Sequence, residues 1–325
     1  MSLINQLNAT TEYYWLNTEP VDIINKASAL LWKLIGNAVT VGNFEIQPHE
    51  TVDGGLMVKV PLEYSQSNRG GYGATTVINQ AKKDIIDAAR FGWAGIYASN
   101  TLNLDDLTQN TGAEAIIDLT KQYMQSIKKA ARIQMAEDVI VAAVDNTRIN
   151  GLGDLFNVNP AVAYGSITET SMPDWKANVI ADVEAISFEV LQKMFRTPNM
   201  GEYAGLLPNF LVTTPTLKDG YERSLHPQQR YIESKMVEAG WDNIMHKGAP
   251  VVGDPYIAAG VLYALNLNFI SLRSHKDYQF TKPVWQAKTV LGQPDVITAD
   301  TRWRGNLYCS NRKMQVAHTN LTEPV

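Results

Sequence analysis

The segment from residue 52 to residue 104 constrains the fold most, because it reads as a limb and not as part of a compact body. Within GLMVKVPLEYS (residues 55–65), Leu56, Val58, Val60, Leu62 and Tyr64 fall on one face, and Met57, Lys59, Pro61, Glu63 and Ser65 on the other. This period of two predicts a half-buried strand. The strand runs into Asn68, Arg69, Gly70, Gly71, Tyr72 and Gly73, a tip too rich in glycine to hold one conformation alone. Residues 93–104 are the expected antiparallel partner. A two-stranded ribbon is marginal in water unless its apolar face is covered. Either this chain's own body or a neighbouring subunit can supply that cover, and the neighbour is favoured.

A chain of 325 residues has room for two subdomains and a sizeable core. With 45% hydrophobic and 19% charged residues it is expected to be globular. A net charge of −5 argues against a dedicated nucleic-acid reader. One cysteine, Cys309, rules out an intrachain disulfide and suits a reducing cytoplasm. Residues 1–18 lack a secretory pattern, and no run approaches the roughly 18 apolar residues of a membrane span. A soluble protein made inside the cell, with no membrane partner, is the expectation.

Apolar spacing over residues 21–35, after Pro20, predicts a short amphipathic helix in an otherwise extended N-terminal arm. Thr111 and Glu114 fit a capping box that opens the clearest helix, expected over residues 111–144. Residues 150–178 read as an irregular connection, with a helix over 181–196 that stops before Pro198. A strand at 209–214, helices at 216–225 and 233–239, and strands at 249–252, 261–265, 269–273 and 306–310 complete an α+β chain.

Several phrases, taken in order, resemble the tailed-bacteriophage major capsid proteins of the Hong Kong 97-like fold. They are SFEVLQKMF (187–195), PNFLVTTPTLKDGYERSL (208–225), KGAPVVGDPYI (247–257), LYALNLNFISLRSH (262–275) and GNLYCSNRK (305–313). Upstream, FGWAGIYAS (91–99) and GAEAIIDL (112–119) are also similar. The resemblance implies an N-terminal arm (1–40), an extended β-hairpin loop region (41–104) and a peripheral domain with a spine helix (105–178). An axial domain (179–298) and a C-terminal return to the peripheral domain (299–325) follow. It implies a non-enzymatic subunit that assembles with copies of itself, as hexamers and pentamers, into an icosahedral shell around double-stranded DNA. Scaffolding, portal and decoration proteins are the other partners implied, with assembly in the bacterial host cytoplasm and residence in the virion. Arm and Gly-rich tip would change shape as the shell matures. Leu56, Val58, Lys59, Val60, Leu62, Tyr64, Arg69 and Tyr72 become the candidate contacts between subunits. Some members of that family carry a lysine–asparagine cross-link; Lys59 has no assignable partner here, and no link is expected.

Chemical readings fare less well. Gly70, Gly71, Tyr72 and Gly73 lack the spacing of either phosphate-binding glycine motif. Cys309 with His275 or His318 would need a base within reach, and a lone cysteine in an apolar strand is more often core. The five histidines are scattered, so neither a metal nor a cofactor is expected. Lys128, Lys129 and Arg132 read as a solvated helix side in preference to a DNA contact. Arg302, Arg304, Arg312 and Lys313 fit either subunit pairing or the lumen. Two competing functions remain: an encapsulin-like nanocompartment shell enclosing enzyme cargo, and an α+β enzyme with an unrecognised site.

Overall fold

The computed structural model describes residues 28–36, 39–41, 44–46, 49–73, 75, 77, 80–103, 119–143, 145, 147–198, 206–225, 243–280, 286–287 and 296–323. These fall into two compact units. The smaller is drawn from Gly95–Met135 and Asp277–Arg304, the larger from Ala27–Ala94, Ala136–Lys276 and Gly305–Val325. The expected helices at 233–239 and at the start of 21–35, and the Thr111–Glu114 capping box, lie outside the described residues.

The chain enters the larger unit through α1 (Ala29–Gly36), a short pair β1 (Val39–Val41) and β2 (Phe44–Ile46), and β3 (His49–Val52). The root of α1 is held by a buried carboxylate far along the chain. Ser28 Oγ donates to Asp254 Oδ2 at 2.6 Å, and Leu30 N donates to the same oxygen at 3.3 Å. That satisfies an amide of the first helical turn that has no partner inside the helix.

The extended ribbon, β4 (Val58–Glu63) and β5 (Ile86–Phe91), comes next, then β6 (Ala94–Asn103). Inward and outward residues alternate along β6: Ile96, Ala98 and Leu102 are buried while Tyr97 is exposed. The spine helix α2 is Leu119–Ile140, about 33 Å long at 1.5 Å per residue. It ends sooner than the expected residue 144. The chain bends at Val141, where Gly151 packs so closely that an added Cβ would lie 1.9 Å from the Val141 carbonyl oxygen. The Asp154 side chain, in the one-turn helix α3 (Leu152–Leu155), then accepts from Ala143 N and Gly151 N. Desolvation raises its pKa above the ordinary aspartate value.

A six-stranded sheet dominates the larger unit. β7 is Asn178–Ile180, β9 Phe210–Thr213, β10 Asn243–His246, β11 Ala249–Gly253, β12 Leu262–Leu265 and β16 Val316–His318, in the order β10-β11-β9-β12-β16-β7. β9 is central, paired in parallel with β11 and antiparallel with β12, and all four of its residues are buried. A strand covered on both faces has no polar side to present, so FLVT reads as a continuous apolar run. Helices α4 (Phe188–Arg196) and α5 (Pro215–Ser224) contribute Val190, Leu191, Met194, Phe195, Leu217 and Tyr221 to the same core as Leu211, Val251, Ala264 and Val316. α4 starts later than the expected residue 181. Residues 184 and 185 form strand β8 (Glu184–Ala185) against β17 (Leu321–Thr322), and Ser187 Oγ caps the helix by accepting from Val190 N.

Strand β13 (Ile270–His275) pairs in parallel with β3 and antiparallel with Gly305–Cys309 of β15 (Val296–Cys309). The expected strand at 306–310 is thus the end of a longer one. In the smaller unit, β15 pairs with β14 (Gln286–Ala287) and β6. Ala98, Ile127, Ala131 and Ala299 form its core, with Phe280 packed on them and stacked on Trp303.

Candidate assembly surface

The ribbon's register is Val58↔Phe91, Val60↔Ala89, Leu62↔Asp87 on the inward face and Lys59↔Arg90, Pro61↔Ala88, Glu63↔Ile86 on the outward one. The expected pairing with residues 93–104 is therefore corrected. The return strand is Ile86–Phe91, and Ala94–Asn103 pairs with β15 instead. The strands separate at Gly92, whose carbonyl accepts from Asn306 Nδ2 at 2.8 Å.

The alternation of β4 holds as a burial pattern, yet the cover of its first half comes from the chain itself. Val58, Val60, Ala89 and Phe91 are all buried. Phe91 meets the Tyr164 ring edge-on at 5.1 Å and the Tyr308 ring at 6.0 Å. Arg90 N donates to Gly165 O at 2.8 Å. Gly165 has φ +62°, and a Cβ there would lie 2.8 Å from the Phe91 ring and 2.9 Å from Ala89 Cβ. The favoured expectation of a neighbour covering this face is corrected for Val58 and Val60, which are buried within the chain itself; on the paired strand, an irregular loop sits tight against Ala89 and Phe91 because Gly165 has no side chain. The ribbon's root is pinned as well, with Trp93 Nε1 donating to Gly55 O at 2.7 Å and Trp93 packed against His275.

Beyond this point the cover ends. Leu62 is half-buried and faces the exposed Asp87. Tyr64 is 37% exposed, while Leu56, ahead of the strand and not within it, is 88% exposed. Arg69 and Tyr72 are exposed at the tip. Val77 and Ile86, at 93% and 73%, add apolar surface that the sequence reading missed. Ile86 lies on the outward face beside Glu63, so no inward alternation marks it, and Val77 sits in no periodic run. Asn68 Nδ2 donates to Ala81 O at 2.7 Å and Tyr64 N to Ile85 O at 3.0 Å, so the described residues of the distal part have internal hydrogen bonds without an apolar core. On the outward face Lys59 and Arg90 stand directly opposite each other, an unfavourable pair unless a carboxylate approaches.

The four C-terminal cations do not act together. Arg312 is buried: Nη2 donates to Leu155 O at 2.7 Å, Nη1 to Trp175 O at 2.8 Å, and Glu169 lies 3.3 Å away. With the Tyr164 and Trp175 rings against its guanidinium, it pins the irregular connection from inside. Arg302 pairs with Asp300, Lys313 with Asp174, and Arg304 lies over Tyr278. Cys309 is fully buried, and desolvation pushes its thiol up to about 12, which keeps it protonated and un-nucleophilic at neutral pH. His318 is engaged at both ring nitrogens, by Glu184 at 2.7 Å and by Thr319 O at 2.9 Å. That hydrogen bond is the main reason the Glu184 carboxyl lies below its ordinary range. Among the described residues no group of three His, Cys, Asp or Glu side chains could hold a metal ion, and no helix is long and apolar enough to cross a membrane.

No protein-family model matches the sequence, and no curated protein matches it either. Solved structures match along almost its whole length. The fold of this chain is that of the tailed-phage capsid proteins. A subunit of the cyanophage A-1(L) capsid superposes with a TM-score of 0.72 at 15% identity, covering 97% of this chain and 99% of that one. The capsid of a native GTA particle gives 0.59 at 14% identity, over 99% of each. The holo-SrpI encapsulin of Synechococcus elongatus PCC 7942 gives 0.54 at 9% identity, over 93% and 98%.

Proposed function

We propose that this chain is a major capsid protein that assembles with copies of itself into an icosahedral shell enclosing double-stranded DNA. The carrying observation is correspondence with a cyanophage capsid subunit over 97% of this chain and 99% of that one. The exposed distal ribbon supports the same reading. Leu56, Leu62, Tyr64, Tyr72, Val77 and Ile86 carry apolar surface that the subunit does not cover. Burying it at roughly 25 cal/mol per Å² would make each contact modest, and repetition in a closed lattice would make the sum large. The Lys59–Arg90 pair and Arg69 then need carboxylates on the surface they meet.

On this reading the arm, extended loop, peripheral domain and axial domain take the boundaries given above, and hexamers and pentamers are the capsomers. Scaffolding, portal and decoration proteins are further partners, DNA contact is weak and non-specific, and assembly takes place in the host cytoplasm. The encapsulin match favours a second reading, a nanocompartment around protein cargo, by a smaller margin. Electron microscopy of the expressed chain, alone and with its scaffolding partner, decides between shells and a discrete small particle. The expected result is closed shells of megadalton mass. A stable monomer under every condition overturns the proposal, and shells filled with protein and free of DNA in infected cells turn it toward the second reading.

A further inference from the structure

Among the described residues the six-stranded sheet stops at β10, an edge strand whose last residue, His246, is turned into the core and 2% exposed. Tyr221 of α5 places its hydroxyl 2.9 Å from His246 Nδ1. Phe188 and Phe195 of α4 meet the imidazole edge-on, with centroids at 4.9 and 5.1 Å. The other ring nitrogen, Nε2, is buried and has no hydrogen-bond partner among the described residues. Next along the chain, Lys247 (φ 47°) and Gly248 (φ 85°) make the tight turn into β11, with the Lys247 ammonium 5.8 Å over the Phe195 ring.

We infer that His246 is an acid-operated release for this edge strand: uptake of a second ring proton uncouples β10 from the two helices that cover it. A neutral imidazole has one donor and one acceptor nitrogen, and the Tyr221 hydroxyl suits either. A protonated ring has two donors. The Tyr221 hydroxyl can then only accept from Nδ1, and the Nε2 proton is buried with no acceptor among the described residues, which is costly for a charged donor. Among the described residues the groups facing the ring give no relief. α4 presents Phe188 and Phe195, α5 presents Tyr221, and β11 pairs His246 with Ala249. The nearby charge is Lys247, of the wrong sign, and Glu189 and Asp219 on the two helices are turned out to solvent.

Burial, and then Lys247, hold the His246 pKa down to about 4, from 6.5 in an open strand. A folded-state value below the unfolded one means that stability is complete above about pH 6.5 and is lost as the pH falls toward about 4. Because β10 has a sheet neighbour on one side only among the described residues, it can leave while β11-β9-β12-β16-β7 remain paired.

Hydrogen exchange of the full chain at pH 7 and pH 4, corrected for the intrinsic rate, tests this. The opening equilibrium of residues 243–246 is expected to rise roughly a hundredfold between the two, with β9 and β12 unchanged. His246→Phe removes the titrating group, keeps the aromatic packing and abolishes the rise. His246→Gln does the same if the phenylalanine variant fails to fold. An equal rise in either folded variant, or no rise in the wild type, overturns the inference. Should neither variant fold, the wild-type profile decides: local opening with a midpoint between 4 and 6.5 sustains it, and opening only with global unfolding overturns it.

Discussion

The six-stranded sheet and the β4–β5 ribbon belong to the same unit of the chain and follow opposite rules. In the sheet, β9 is buried along its whole length and α4 and α5 contribute to its core, so every apolar residue of Phe210–Thr213 finds a partner in cis. In the ribbon the cover stops partway: Val58, Val60, Ala89 and Phe91 are buried, the last two against residues 164 and 165, whereas Tyr64 and Ile86 are exposed. A period of two states that one face wants burial and leaves open what buries it. Here the answer changes within six residues of one strand, from the chain itself to whatever lies beyond it.

The most forceful way to break this comparison is Phe91→Ala. If the proximal ribbon is as much a part of the body as the sheet, the loss is about 3–5 kcal/mol in urea unfolding, alongside about 2–5 kcal/mol for Leu211→Ala in β9. A cost below about 1 kcal/mol would make the ribbon a separate appendage. Gly165→Ala is next. A left-handed φ and a Cβ pressed onto Phe91 and Ala89 predict a loss of about 1–3 kcal/mol by thermal unfolding, and an unchanged midpoint would show that the loop does not clamp the strand. The smallest effect sharpens the other side of the contrast. Leu56→Ser or Ile86→Ser should move subunit stability by no more than about 0.5 kcal/mol, because neither side chain is packed. Under the shell reading the same substitutions lower the yield of closed particles in sedimentation. A large loss of subunit stability would instead mean that the distal ribbon is already covered.

The sheet and its helices were legible in the sequence where local chemistry and burial agree. FLVT, the helix expected at 216–225 and the strands expected at 249–252 and 261–265 are examples; the helix starts one residue earlier, where Thr214 caps by accepting from Leu217 N and Pro215 suits the first turn. The ribbon's return strand was not legible, because IDAARF has Asp87 on its inward face and Ile86 on its outward one, while AGIYASNTLN alternates cleanly and belongs to another pairing. The first half of β15 was hidden in the same way by Arg302 and Arg304, which are the outward members of a strand whose Thr301 and Trp303 are buried. Arg312 read as a surface cation because no local pattern announces two backbone carbonyls and two aromatic rings gathered around it from the connection at 150–178. The extent of the candidate contact surface was missed because Ile86 lies on the outward face and Val77 sits in no periodic run.

The clasp of Asp254 on Ser28 and Leu30 also sets a clock. Its two ends are 226 residues apart, so at about 5–20 residues per second a ribosome needs roughly ten to fifty seconds after making Ser28 before the aspartate exists to hold it. During translation the first turn of α1 therefore forms without this clasp, which closes only once residue 254 has been made.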